Sequence, residues 1–203
     1  NADKLSPGKQ TIAVKATAPG DARFLDSKEK KYTFEFSAKL DSPQISVNKD
    51  GDVVYLHIPA VTHATSYSCK VDGVSFTAES GDTDITDRIT AGGVHIIEVS
   101  ATSNNRYFSA SSPAMTSYVT YLPLDAPIAT YTKTADSITV SWEKVQNASV
   151  YLVRYGEYVI YTTDLTLTLP LQEAALNVQA VGSGYYLNSA EALAEEAVLQ
   201  EAD

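Results

Sequence analysis

Ser137-Ile-Thr-Val-Ser-Trp142, then Glu143-Lys-Val-Gln-Asn-Ala-Ser149, then Val150-Tyr-Leu-Val-Arg-Tyr155 is the stretch whose reading decides the fold. Apolar and polar residues alternate through 137–142, the period of a half-buried strand, and a second apolar-rich run follows at 150–155. The polar residues between them make a short connection. The unit is therefore strand, connection, strand, and it recurs upstream.

An offset of 84 residues superposes Ile58 on Trp142. Val54, Leu56, Val61, Ala64, Tyr67, Cys69 and Val71 then fall on Ile138, Val140, Val145, Ala148, Tyr151, Val153 and Tyr155. Further on, Thr83-Asp-Ile-Thr86 matches Thr163-Asp-Leu-Thr166, and Ile97, Val99, Ala101 match Leu176, Val178, Ala180. A further copy, first in chain order, shows only its tail, in Ile12, Val14 and Ala16. Each tail leads to an aromatic-rich turn: Arg23-Phe-Leu-Asp-Ser27, Arg106-Tyr-Phe-Ser-Ala110 and Tyr185-Tyr-Leu-Asn-Ser189. The joins repeat as well, Leu40-Asp-Ser-Pro43 and Leu124-Asp-Ala-Pro127. A fixed period of this kind marks an array. The expected domains are residues 1–39, the C-terminal part of an incomplete β-sandwich repeat, then full sandwiches at 40–123 and 124–203.

Residues 1–39 are expected to give two strands, Thr11–Ala16 with Ile12, Val14 and Ala16 inward, and Tyr32–Phe36. Two strands cannot bury enough surface to stand alone in water. They imply either further sequence upstream or strand pairing with another chain. In the second copy, Asp72-Gly73 is a type I′ hairpin signal; in the third, Gly156-Glu157 stands there. Ser189–Asp203 is rich in Ala, Glu and Leu, which favours helix, but its place in the repeat predicts a last strand.

These residues resemble fibronectin type III modules. The likeness rests on Trp142 closing the second strand, on Tyr151-x-Val153 and on Leu176-x-Val178-x-Ala180. The resemblance implies an all-β chain of tandem seven-stranded fibronectin type III-like β-sandwiches. The joins and the Tyr-Leu-Asn-Ser turn resemble those of secreted and surface proteins of bacteria, which implies an extracellular or cell-surface location. Two departures stand out. Ile58 occupies the tryptophan position of the earlier copy. Gln10, His95 and Ala174 occupy the place where the family has a tyrosine whose hydroxyl ties down a corner. His95 can make such a tie and Ala174 cannot, so the third copy is expected to lack that bond.

Composition and motif spacing narrow the function. Net charge is −10, distributed as +3 over residues 1–39, −5 over 40–122 and −8 over 123–203. Acidic domains repel phosphate backbones, so nucleic acid is not an expected partner. No apolar run reaches the length of a membrane-spanning helix. The chain has no signal peptide and does not begin with Met, as expected of a mature form or a fragment. Cys69 is the one cysteine and sits where Val153 sits, as a small core residue.

His57, His63 and His95 are not spaced as a triad or as zinc ligands, and there is no nucleophile elbow or phosphate loop. No catalytic residue, metal site or cofactor is expected. Asp82, Asp84 and Asp87 invite a calcium reading. Against it, Asp84 recurs as Asp164 in a copy without the other two acids.

The candidate ligand-binding residues are Tyr107, Phe108, Tyr185 and Tyr186, because rings on a loop can stack on sugars or anchor a protein. The competing expectation is that one ring of each pair caps the sandwich end. The function these readings imply is a non-catalytic module array, a spacer and a protein or glycan interaction surface. The alternative is a carbohydrate-binding accessory region of a secreted polysaccharide-degrading enzyme.

Overall fold

A computed structural model describes residues 5–20 and 24–197. It opens with an antiparallel ribbon of β1 (Gly8–Val14) and β2 (Lys30–Phe36), in register from Gly8↔Phe36 to Val14↔Lys30. A short strand β3 (Ala38–Lys39) follows. The next elements are β4 (Ser46–Asp50), β5 (Val53–Ile58), β6 (Ser66–Val71), β7 (Val74–Ala78) and β8 (Gly81–Asp84). After a 3-10 turn at Thr86–Arg88 come β9 (Gly93–Thr102), β10 (Phe108–Ser109) and β11 (Ala114–Thr120). The same plan then repeats as β12 (Leu122–Pro123), β13 (Ala129–Lys133), β14 (Ser137–Trp142), β15 (Val150–Tyr155) and β16 (Tyr158–Thr162). It ends with β17 (Thr166–Pro170), β18 (Leu176–Val181), β19 (Tyr186–Leu187), β20 (Ala192–Leu193) and β21 (Glu195–Glu196). No α-helix occurs among the described residues, and the last strand positions of the Ala/Glu/Leu-rich tail are β20 and β21. The part of that tail from 198 onward lies outside the described residues.

The chain divides into two compact units. The first takes in the described residues up to Thr90 and His95–Tyr118; the second takes in Ala91–Val94 and the described residues from Val119 on. In the first unit, sheet β4-β5-β8 packs against sheet β7-β6-β9-β11. In the second, β17-β14-β13-β21 packs against β16-β15-β18-β20. Each is a seven-stranded, fibronectin type III-like sandwich; in the second the closing strand splits between the sheets as β20 and β21.

Pairing register shows that the two sandwiches are copies. Cys69 faces Val99 and Val153 faces Val178; Val71 faces Ile97 and Tyr155 faces Leu176. The cores match as well. Leu56, Ile58, Cys69 and Val99 are fully buried in one, Val140, Val153 and Val178 in the other, and Trp142 is 5% exposed. Trp142 closes its strand with its ring 5.4 Å from that of Tyr151, while Ile58 fills the same position with less volume. Each such side chain removed from water contributes about 1.5–3 kcal/mol.

Register also corrects one alignment. Leu56 faces Thr83, and its equivalent Val140 faces Leu167, so Thr83 corresponds to Leu167 rather than Thr163. Asp84 lies in β8, whereas Asp164 lies in the loop before β17. The two are not equivalent. The two segments share the order Thr-Asp-apolar-Thr but join their sheets at different registers.

Three polar devices recur where strands end. The Tyr67 hydroxyl accepts the Val61 N–H at 2.8 Å, and the Tyr151 hydroxyl accepts the Val145 N–H at 2.7 Å, pinning the loop between the second and third strands. Ser111 Oγ accepts the Ala101 N–H at 2.9 Å and the Ser111 N–H is donated to the Ala101 carbonyl at 3.0 Å. Ser189 does the same with Ala180, and Ser27 with Ala16, each of these contacts being 2.9 Å. The serine of the middle copy is therefore Ser111, one residue beyond the Ala110 of the sequence alignment. A one-residue longer turn hides the match.

The third device corrects the corner expectation. In the first unit His95 Nδ1 lies 2.6 Å from Asp72 Oδ2, and Asp72 Oδ1 accepts the Ile96 N–H at 2.8 Å. In the second unit, where Ala174 was expected to leave no tie, the Tyr155 hydroxyl accepts the Gln172 N–H at 2.8 Å and donates to the Gln172 carbonyl. The bond comes from the opposite strand. Backbone groups at a buried corner need partners, and the residue that supplies them is free to change.

Candidate functional site

The aromatic turns after β9 and β18 are the sites at which candidate binding residues gather. In the first unit β10 pairs parallel with β3, so the join that precedes the sandwich lies on its turn. The Ala38 N–H is donated to the Tyr107 carbonyl at 2.9 Å and the Leu40 N–H to the Ser109 carbonyl at 3.0 Å. In the second unit β19 pairs parallel with β12; the Leu122 and Leu124 N–H groups each reach 3.1 Å, to Tyr185 and Leu187. The aromatic turn is thus a receptor for its own join. Leu40 and Leu124, the first residues of the two Leu-Asp-x-Pro joins, are 5% and 6% exposed and belong to the cores.

The four candidate rings divide in two. Phe108 packs against the first core and stacks on His63 with centroids 4.4 Å apart, while Tyr186 packs against the second core. Tyr107 lies beside Arg106, whose Nη2 donates to its hydroxyl at 2.8 Å and is also paired with Glu35. Tyr185 is 39% exposed, and its ring sits 5.8 Å from that of Tyr121 at an interplanar angle of 49°. Tyr185 is thus open to solvent, while Tyr107 is half-buried with the Arg106 guanidinium 4.8 Å from its ring centre. Tyr121, which completes the exposed pair, was not among the sequence candidates because it falls in the join.

Asp84, Asp82 and His57 are engaged in local contacts. Asp84 accepts the Thr86 N–H at 2.9 Å, and Thr86 holds its carboxyl below the usual range, side chain first and backbone second. Asp82 pairs with His57 across 2.6 Å, with both side chains substantially exposed. Among the described residues, no three His, Cys, Asp or Glu side chains converge as a metal site. Burial pushes the Cys69 thiol up to about 11, which leaves no thiolate at neutral pH. A cleft of about 390 Å³ opens in the second sandwich beside Ala174, lined by Tyr131, Tyr155, Leu176 and Leu193 among others. It lies where a larger corner side chain would pack.

No family model matches the chain, and no curated protein matches its sequence. Among solved structures, a two-domain fibronectin type III segment of chicken tenascin is similar at 15% identity. It covers 74% of this chain and 96% of its own, with a TM-score of 0.41. The first to third fibronectin domains of chicken CNTN1 are similar at 15% identity, covering 84% and 72%, with a TM-score of 0.32. The chicken interferon gamma receptor alpha chain is similar at 14% identity, covering 74% and 94%, with a TM-score of 0.33.

Proposed function

We propose that this chain is a non-catalytic array of β-sandwich modules, with boundaries near residues 40 and 124, acting as spacer and interaction surface in a larger exported bacterial protein. The observation that carries this reading is the treatment of the joins. One residue, Ser37, separates β2 from β3, and one, Tyr121, separates β11 from β12. Each join is then bonded to the turn of the module it enters and anchored by a buried leucine. A spacer needs connections without slack, and this is how one is built from hydrogen bonds rather than from proline alone.

Backbone ¹⁵N relaxation tests it. Leu122 and Leu124 are expected to show order parameters of about 0.85, like the strands. Values below about 0.6 at these two residues would refute the spacer reading.

The carbohydrate-binding alternative needs exposed rings that lie flat to one sugar face. The 49° tilt between Tyr121 and Tyr185 does not offer that, which places this reading second. A protein partner anchored on the exposed Tyr185, or on the half-buried Tyr107 with Arg106, requires no coplanarity.

A further inference from the structure

Apolar side chains stand outside a core in two places. In the ribbon β1–β2, Ile12 and Val14 are 49% and 54% exposed and Ala16 is exposed too, which corrects the expectation that they point inward. The second place is the outer face of sheet β16-β15-β18-β20, for which the first unit supplies a copy to compare. Tyr151, Val153 and Tyr155 of β15 face the core, so Leu152 and its ladder partners Tyr161 and Gln179 face outward. On this face the first unit has Ser66, Ser68, Ser75, Thr77 and Thr102. The second has Val150, Leu152, Val159, Tyr161 and Val181 at the same positions. Five positions that are polar in one copy are thus apolar in the other. The sandwich plan does not require this, since the first unit folds without it. Leu152 is 4% exposed, whereas Val159 and Tyr161, on the outermost strand, are 57% and 64% exposed.

Strand β16 is also the edge of its sheet, and among the described residues no strand pairs with its far side. Edges are ordinarily blunted by a lysine, a proline or a bulge. Tyr158-Val-Ile-Tyr-Thr162 has none of these, and all five residues pair with β15 in unbroken register. Exposed Glu157 and Asp164 stand beyond its two ends, and Arg154 on the same face is already paired with Glu191 at 3.0 Å. We infer that the free edge of β16, with Val159 and Tyr161, is a docking site for an extended segment of a protein partner. That segment has apolar side chains at alternate positions and a lysine or arginine beyond each end. Its main chain adds to the sheet, and its apolar side chains lie beside Val159 and Tyr161. The two end carboxylates, and the −8 carried by residues 123–203, select basic flanks. A second copy of this chain does not suit the site. Two-fold pairing about Ile160 would bring the Glu157 of each copy within one residue of the Asp164 of the other, and like charges across a ladder oppose it. Three strands of this length present a face of roughly 17 by 14 Å, far below the ~800 Å² per partner of a stable interface. The site is independent of the spacer reading, because the order parameters of Leu122 and Leu124 are measured without any peptide.

Titration of the ¹⁵N-labelled 203-residue chain with the peptide Lys-Thr-Val-Thr-Val-Thr-Val-Lys tests this. The β16 amides should shift and the β7 amides should not, with half-saturation at about 1 mM peptide or below. Replacing both lysines by glutamate should weaken binding by about tenfold or more. So should Val159→Ser combined with Tyr161→Thr, which gives β16 the residue types of Ser75 and Thr77. Tyr161→Thr alone serves where the pair alters the fold. Raising salt from about 0.1 to 1 M should weaken binding severalfold. Absence of any shift at β16, equal shifts at β7, equal binding of the glutamate-flanked peptide, or undiminished binding to the double variant would each overturn the inference. So would self-association of the free chain that protects the β16 amides.

Discussion

At the residue scale, Ser27, Ser111 and Ser189 form a natural series, because one hydrogen-bond device appears at three levels of burial. Ser111 and Ser189 are 8% and 4% exposed, whereas Ser27 is exposed. Removing the hydroxyl strands the Ala101 or Ala180 N–H in the core, which costs about 1–3 kcal/mol, while water replaces it at Ala16. Ser111→Ala and Ser189→Ala should each lower stability by that amount in urea unfolding, and Ser27→Ala by less than about 0.5 kcal/mol. Equal effects at all three would show that burial is not what makes the device matter.

Asp72 gives a pH dependence with a definite sign. The hydrogen bond from His95, and then that from Ile96, hold its carboxyl below its ordinary value of 3.8. A depressed carboxyl stabilises the fold above its unfolded value, and that contribution is lost as pH falls through the folded one. Asp72→Asn keeps the left-handed backbone that Asp72 adopts at φ 49°. The variant should melt below the wild type at pH 7, with the gap closing as pH drops below 3.8. A gap that widens in acid would contradict the assignment.

At the scale of elements, the joins are the new feature. Leu124 anchors the second core while its N–H extends the ladder of β12 with β19. Leu124→Ala should cost about 2–5 kcal/mol in stability of the second unit. The Leu122 and Leu124 amides should at the same time lose exchange protection. Loss of stability with the amides still protected would separate the anchor from the ladder.

The strands equivalent to β5, β6 and β9 were legible in sequence, because Leu56, Cys69 and Val99 and their partners alternate with polar residues over a full strand. The two-residue ladders of β3 with β10 and β12 with β19 were not. They are too short for any period, and parallel pairing across 70 residues leaves no local sign, as in Ala38↔Phe108. The corner is hidden for a related reason. Ala174 stands at the position of the expected tie, while the hydroxyl that serves the corner arrives from Tyr155, which the sequence presents only as a core residue. Of the candidate ring pairs, the inward partners Phe108 and Tyr186 and the outward ones Tyr107 and Tyr185 look alike in sequence, since the turn and not the residue type decides which faces the core.

On the scale of the whole molecule, charge and the repeat set the behaviour. With a net charge of −10, the chain should leave the fluorescence anisotropy of a labelled DNA duplex unchanged at 0.15 M salt. A rise that fades with added salt would point to a basic surface of the β1–β2 region acting on its own.

Resonance assignment followed by interstrand NOE measurement examines the copying itself. Backbone contacts should join Tyr67 to Ala101 and Cys69 to Val99, and with the same spacing Tyr151 to Ala180 and Val153 to Val178. A spectrum in which the second set is missing, or shifted by one residue against the first, would contradict the conclusion that one sandwich plan is used twice.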